Sequence, residues 1–134
     1  MATDTQPTPP RPSRMAFWIG WVLSALPVPL FLFSAFGKFG KSPDVVKGFE
    51  HLGWPLHTAV PLGVLELACV VLFLIPQTAV LGAILIAGYL GGAIATHVRL
   101  EEPFYMQASL GVVMWLGLYL REPRLRALVP LRTL

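Results

Sequence analysis

Long apolar runs alternate with short polar segments along the chain, and the runs cover residues 15–36, 54–98 and 104–120. A helix that crosses a bilayer needs roughly 20 consecutive apolar residues. The first run has that length, and the last run, although shorter, is sufficient for a helix packed within a bundle. The apolar region of a signal peptide covers about 7–15 residues, so we expect the longer first run to be retained as a helix.

The middle run is long enough for two helices. Pro76 and Gln77 divide it, because proline ends a helix and glutamine favours contact with water. So short a connection predicts an antiparallel hairpin. The sequence therefore predicts an all-α fold, an integral membrane four-helix bundle, with helices at about 15–36, 54–75, 78–98 and 104–120.

The polar segment between the first two predicted helices has a helical pattern of its own. Ser42 is a suitable N-cap, Pro43 suits the first helical position, and Gly53 suits the end of a helix. Apolar residues recur at helical spacing between them: Val45, Val46, Phe49 and Leu52. We predict a short amphipathic interfacial helix that lies on the membrane surface.

The two ends of the chain differ in composition from the predicted membrane domain at 15–120. Residues 1–14 are rich in proline and poor in apolar side chains, which predicts a disordered tail. Residues 121–134 form a basic C-terminal tail. Basic residues favour the cytoplasmic side of a membrane, and those at the two ends outnumber those on the other predicted side. Both termini are therefore expected in the cytoplasm.

Composition supports the membrane class and excludes several others. The chain is 55% hydrophobic and 13% charged, against about 25% charged residues in a soluble domain. The net charge of +3 comes from residues that flank apolar runs, so we expect no nucleic-acid binding. Cys69 is the single cysteine, which excludes dithiol chemistry within the chain and favours a packing role. The histidine spacing predicts no metal site, and no catalytic residue is assigned.

Glu66 is the one formal charge in the long middle run, near the middle of its predicted helix. An ionised carboxylate at that depth is costly, so we expect it to be protonated, paired or beside a wet cavity. Helical rise places Tyr89 and Ser24 at a similar depth. Prolines in the first helix also free backbone carbonyls there. We predict a polar spot inside the bundle formed by these groups, with Glu66 at its centre.

Lys38 and His97 lie where two predicted helices leave the membrane, on the side away from the termini. One interpretation is a polar funnel that leads from them to Glu66. The alternative is that such residues anchor the helices at the interface. The spacing Gly88-x-x-x-Gly92 permits close helix contact, either within the bundle or in a homodimer.

Several sequence pieces, in order, resemble the DoxX-like family of small four-helix membrane proteins, most of them bacterial. They are SAFGKF, HLGWP, LGVLEL, Pro76 and AILIAGYLGGAIATH, and the resemblance covers roughly residues 24–120. It implies that Lys38, Glu66 and His97 are polar positions of interest, and that the chain lies in a bacterial cytoplasmic membrane. It further implies roles in sulfur or thiosulfate oxidation with electron transfer to quinone, in oxidative-stress complexes, or in assembly of receptor channels.

Three functional hypotheses follow. The first is a non-autonomous accessory subunit whose bundle binds a small apolar ligand such as a quinone, with Lys38, Glu66, Tyr89, His97 and Ser24 as candidate binding residues. The chain has no cofactor pattern of its own, so a partner protein is expected to supply redox centres, and the isolated chain is not expected to be an enzyme. The second is a non-enzymatic scaffold or assembly factor. The third is a small proton-linked transporter. Fold does not decide among them.

Overall fold

The computed structural model describes residues 13–132, and its regular structure is helical throughout. The helices are α1 (Arg14–Ala25), α2 (Val28–Gly40), α3 (Pro43–Leu52), α4 (Ala59–Leu74), α5 (Ala79–Arg99), α6 (Tyr105–Arg121) and α7 (Pro123–Arg126). Single 3-10 turns at Leu56–Thr58 and Pro76–Thr78 precede α4 and α5. The prediction of an all-α fold is confirmed. Of the predicted N-terminal tail, residues 1–12 lie outside the described residues.

Three helical stretches are long and apolar enough to cross a membrane: Arg14–Gly40, Leu56–Leu74 and Pro76–Arg99. Helix α6 matches the fourth predicted helix and has 17 residues, slightly fewer than the roughly 20 that a span needs. We call the end that carries α3 the α3 end, and the end that carries Pro76 the hairpin end.

The first predicted helix is two helices in the structure. Helix α1 ends at Ala25, α2 begins at Val28, and α2 continues beyond the predicted end to Gly40. The break has a local cause, because Pro27 and Pro29 both lack the N–H that a continuous helix needs. The predicted first span at about 15–36 therefore lies within the stretch Arg14–Gly40, which is interrupted at Leu26 and Pro27.

The first membrane stretch, Arg14–Gly40, packs on one helix before the break at Leu26 and Pro27 and on another after it. Before it, α1 packs on α6; after it, α2 packs on α4. Helix α4 also packs on α5, and α5 on α6. The fully buried side chains between them include Phe73, Ile86, Met114 and Leu118. Large apolar side chains such as Phe33 and Val64 face outward, as expected for a lipid-exposed surface.

Small residues mark the closest helix crossings. A Cβ on Gly117 would lie 2.7 Å from Ser24 Oγ, at the crossing of α1 and α6. A Cβ on Gly63 would lie 3.1 Å from the Ala35 carbonyl oxygen, at the crossing of α2 and α4. Gly82 approaches the backbone of Phe73 even more closely, at the crossing of α4 and α5.

The Gly88-x-x-x-Gly92 pair does not form such a crossing within the described part of the chain. A Cβ at either position would meet no atom within 4 Å. The described residues therefore do not show these two glycines packing helices of one bundle together.

Helix α3 occupies the segment where a short amphipathic helix is predicted. Ser42 Oγ accepts a hydrogen bond from the Val45 N–H, and Gly53 ends the helix at a φ of 75°, where glycine is favoured. Two contacts join its C-terminal end to the connection between α5 and α6. His51 pairs with Glu102, and the Arg99 guanidinium donates to the Leu52 carbonyl oxygen.

The hairpin between α4 and α5 follows the predicted division. Ile75 is extended, the 3-10 turn Pro76–Thr78 follows, and the Thr78 hydroxyl donates to the Leu72 carbonyl oxygen at 2.8 Å. That bond satisfies a carbonyl that the ending helix leaves free. At the same end of the molecule, the short helix α7 lies within the predicted C-terminal tail and buries Leu125.

Candidate functional site

Glu66 lies in the middle of α4 and exposes only 3% of its surface. Its Oε2 atom accepts three hydrogen bonds: from Lys38 Nζ at 2.8 Å, from the Ser34 hydroxyl at 3.2 Å and from the Tyr89 hydroxyl at 3.2 Å. These donors belong to α2 and α5. One carboxylate oxygen therefore connects three helices, and we call the group Ser34, Lys38, Glu66 and Tyr89 the carboxylate cluster.

Lys38 and Ser34 lie one helical turn apart on α2, so both side chains reach the same point. Lys38 Nζ also donates to Ser34 Oγ at 2.5 Å. The lysine side chain is 12% exposed, so the pair with Glu66 is largely withdrawn from the surface. Gly63, one turn before Glu66, permits this approach because a Cβ there would lie only 3.2 Å from the Lys38 Cβ.

The ion pair resolves the expected cost of a carboxylate at this depth. A buried charge is tolerated when an opposite charge and further hydrogen bonds accompany it. Glu66 has both, from Lys38 and from two hydroxyl groups. The pair is neutral as a unit. Of the situations considered from the sequence, Glu66 is paired, and it also lines a cavity described below.

His97 belongs to a second polar pair, with Gln107 of α6. Its Nδ1 lies 2.8 Å from the Ala93 carbonyl oxygen, which can only accept, so Nδ1 carries the proton. In the neutral ring Nε2 is then an acceptor, and Gln107 Nε2 donates to it at 3.4 Å. The Gln107 Oε1 atom is buried and has no partner among the described residues.

Ser24 lies away from the carboxylate cluster. It is fully buried, and its hydroxyl donates to the Gly20 carbonyl oxygen at 2.7 Å. It contacts α6 near Gly117 rather than α4. Ser24 lies apart from the cluster because the first stretch breaks after Ala25. The part before the break, which carries Ser24, packs on α6. The structure thus brings Lys38, Glu66 and Tyr89 together and leaves Ser24 at another interface.

Two members of these polar groups were missed from the sequence, Ser34 and Gln107. Each had a signal. Ser34 precedes Lys38 by four residues, which is one helical turn. Gln107 is an amide in an apolar run predicted to span the membrane, and such residues usually face the bundle interior.

A cavity of about 410 Å³ lies beside the carboxylate cluster, toward the α3 end. Lys38, Tyr89 and His97 provide polar groups to its wall. The remaining wall is largely apolar, and it includes Phe49 of α3 and Trp54. Gly88 and Gly92 also line it, so the absence of their side chains leaves this space open.

A smaller cavity of about 230 Å³ also borders the cluster. Ser34, Glu66, Tyr89 and Gln107 line it together with apolar residues of α2 and α6. Tyr89 contributes to both cavities, whereas Lys38 lines the larger and Glu66 the smaller. The ion pair therefore contributes its lysine to the wall of one space and its carboxylate to the wall of the other.

Within residues 13–132, no group of three or more histidine, cysteine, aspartate or glutamate side chains is arranged to hold a metal ion. Cys69 is buried in the core beside Val70. Besides the carboxylate cluster and the His97–Gln107 pair, the described interior buries the polar side chains of Ser24, Thr96 and Arg121.

The family model of the DoxX-like family matches residues 22–119, which is most of the chain. The chain belongs to the DoxX-like family. The resemblance inferred from the sequence pieces is confirmed, and the matched region contains both the carboxylate cluster and the His97–Gln107 pair. No curated protein and no solved structure matches the chain. With three stretches able to span a bilayer, this DoxX-like chain is a membrane protein.

Proposed function

We propose that this DoxX-like protein is a small accessory subunit of the membrane that binds a small apolar ligand with a polar head in the 410 Å³ cavity. One observation carries the proposal: an open, mostly apolar space of this size ends at a buried ion pair. Ligand sites in proteins occupy about 300–1,000 Å³ and combine apolar walls with a few polar groups. The cavity meets both criteria.

The free hydrogen-bonding capacity beside the cavity favours a ligand that accepts a hydrogen bond. Lys38 Nζ has three protons and uses two of them on Ser34 and Glu66. The third is available to the cavity that Lys38 lines. Tyr89 has already donated its proton to Glu66, so it can only accept. A carbonyl oxygen on an apolar ring, as in a quinone, suits this arrangement.

The proposed arrangement in the membrane is a four-helix bundle in which α6 is the fourth span. Its packing on both α1 and α5 supports this. Arg14 and the arginines that follow α6 lie at the hairpin end, which favours a cytoplasmic location for both termini in a bacterial cytoplasmic membrane. Helix α3 then lies at the opposite surface, as an interfacial helix over the cavity.

In this account electron transfer belongs to a partner protein, and the described chain holds the ligand near it. The carboxylate cluster suits this binding role because its side chains hold one another in position. Lys38 is held by an ion pair, and each hydroxyl of the cluster already donates to a carboxylate.

Tryptophan fluorescence tests ligand binding directly, because Trp54 lines the cavity and quinones quench indole emission. A short-chain benzoquinone titrated into the reconstituted protein is expected to quench saturably. Gly92→Leu, which places a side chain in the cavity, is expected to remove the saturable component. Trp54→Phe identifies the reporting residue. Linear quenching, unchanged by Gly92→Leu, would argue against a quinone site.

A second candidate function is a scaffold without a ligand. It is favoured by the fact that Glu66 joins three helices through a single oxygen atom, which by itself gives the carboxylate a structural purpose. In that case the cavity holds bilayer lipid in no fixed ratio. Crosslinking in the native membrane is then expected to capture one partner protein in constant ratio, and quinone titration to show no saturation.

A further inference from the structure

The break in the first membrane stretch opens a groove between α2 and α6. After Pro27, α2 turns its packing toward α4 and leaves α6 to α1 and α5. A cavity of about 220 Å³ lies at the break, between Leu26 and α6. It shares Leu30, Met106 and Leu110 with the 230 Å³ cavity beside Glu66. The two spaces are therefore adjacent, and we call them together the groove, apolar at the break and polar at Glu66.

The polar end of this groove presents oxygen atoms that need donors. All three bonds to Glu66 go to Oε2, and Oε1 has no partner among the described residues. Gln107 Oε1 is buried and equally unpartnered within that part of the chain. The hydroxyls of Ser34 and Tyr89 have already used their single protons on Glu66. Leaving the buried Gln107 Oε1 unpaired costs stability, so a donor is expected beside it.

The balanced charge of the Lys38–Glu66 pair favours an uncharged hydrogen-bond donor in the groove. Lys38 and Glu66 balance each other, so an ammonium group in the groove would leave a net positive charge inside the membrane. A hydroxyl avoids that cost. It also accepts, and Gln107 Nε2 has a second N–H beyond the one that faces His97. An ether or a carbonyl can only accept and leaves both oxygens unpaired.

We propose that the groove is a second ligand site, which takes a neutral single-chain amphiphile with a hydroxyl head. The hydroxyl donates to Gln107 Oε1, the acceptor that is buried without a partner among the described residues. The chain lies along Leu30, Met106 and Leu110 toward the break at Pro27. This site differs from the 410 Å³ cavity in location and in polarity, because it selects a donor where Lys38 selects an acceptor.

A matched pair of probes tests the polarity of the groove. Nonylphenol and its methyl ether have the same ring and chain and differ in one donor. Binding of each to the purified full chain is measured by native mass spectrometry, in Gly92→Leu protein so that the larger cavity is filled. The phenol is expected to bind about tenfold more tightly than the ether, the ratio that one net hydrogen bond provides. Equal binding would overturn the proposal and leave a groove for bilayer chains.

A second variant locates the bound phenol. Gln107→Met keeps the approximate shape of the side chain and removes its acceptor, so the preference for phenol is expected to fall severalfold. If the preference persists in Gln107→Met but disappears in Gly92→Leu, the phenol occupies the larger cavity. That result would overturn the groove site and leave the function proposed for the cavity intact. The probe comparison in the Gly92→Leu background decides the matter even if Gln107→Met does not fold.

Discussion

Lys38 Nζ lies 2.8 Å from Glu66 Oε2, and the two side chains expose only 12% and 3% of their surface. They are 28 residues apart in the chain and belong to different helices. This buried pair connects α2 to α4 in the interior of the protein. Lys38 lines one of the two ligand spaces proposed for the protein and Glu66 lines the other, so the pair bears on both stability and binding.

Removing one partner of the Lys38–Glu66 pair should destabilise the protein more than removing both. Lys38→Met leaves an uncompensated carboxylate in the interior, at an expected cost of about 3–5 kcal/mol. Adding Glu66→Leu to that variant removes the charge as well, and much of the loss should be recovered. Denaturant unfolding in detergent micelles measures each variant. Simple addition of the two single losses in the double variant would contradict a direct pair.

The hydroxyl groups around Glu66 should contribute less than the charge. Tyr89→Phe removes one hydrogen bond and keeps the ring, with an expected loss of about 1 kcal/mol. Tyr119→Phe is the control, since that hydroxyl makes no hydrogen bond to the described residues. Unfolding of the two variants under the same conditions makes the comparison. Equal stability of the two variants would mean that the Tyr89 hydroxyl does not hold Glu66.

Gly82 and Gly88 both lie in α5, but substitution by alanine should destabilise the protein only at Gly82. Gly82→Ala places a methyl group against the backbone of Phe73, which cannot move aside, and should cost about 1–3 kcal/mol or more. Gly88→Ala meets nothing within 4 Å. It should be neutral or stabilising by up to about 1 kcal/mol, because alanine favours the helix. Thermal unfolding of both variants tests this crossing. A tolerated Gly82→Ala would contradict it.

Arg121 should be a structural residue of the hairpin end. Its guanidinium donates to the Phe73 carbonyl oxygen at 2.9 Å and lies 4.2 Å above the ring of Trp21. It thus joins the ends of α1, α4 and α6. Arg121→Met should destabilise the chain by about 1.5–3 kcal/mol, as expected for a hydrogen bond from a charged group.

Arg124 provides the control for that substitution, because its side chain is exposed and makes no hydrogen bond within the described residues. Arg124→Met should change stability by less than about 0.5 kcal/mol. Both variants lower the positive charge by one unit. A similar loss of stability in the two would show that charge at this end matters, rather than the contact with Phe73 and Trp21.

The rise per residue along antiparallel helices was sufficient to predict which residues of the site lie at the same level. It placed Tyr89 at the depth of Glu66, and the structure joins them by a hydrogen bond. Lys38 was predicted to lie higher, at the end of its helix. Its long side chain reaches down to the carboxylate, and α2 itself continues to Gly40. Depth is thus predictable from sequence, whereas the direction of a flexible side chain is not.

The same reasoning failed for Ser24 because depth does not identify the neighbouring helix. Ser24 has a suitable depth but lies before the break at Pro27, where the first stretch packs on α6. Pro27 and Pro29 were recognised as residues that free backbone carbonyls. Their larger effect, a change of packing partner, depends on tertiary contacts that a single helix pattern does not contain.

The spacing of Gly88 and Gly92 likewise did not predict what packs against them. Gly88 and Gly92 match a spacing known for close helix contact, yet they line a cavity. The closest crossings use isolated glycines, such as Gly82 and Gly117, that no spacing rule singled out. What surrounds a small residue depends on which helix faces it, and that is decided by the packing of the whole chain.

The central claim is that the 410 Å³ cavity beside Lys38 and Glu66 holds a lipophilic ligand. Mass spectrometry of small molecules that co-purify with the native protein tests it most directly, with two leucine variants for comparison. Gly92→Leu fills the cavity, whereas the adjacent Gly91→Leu points away from it and meets nothing within 4 Å. Our account predicts one quinone-like molecule per chain, retained in Gly91→Leu and lost in Gly92→Leu. The same lipophilic content in all three folded proteins would contradict it.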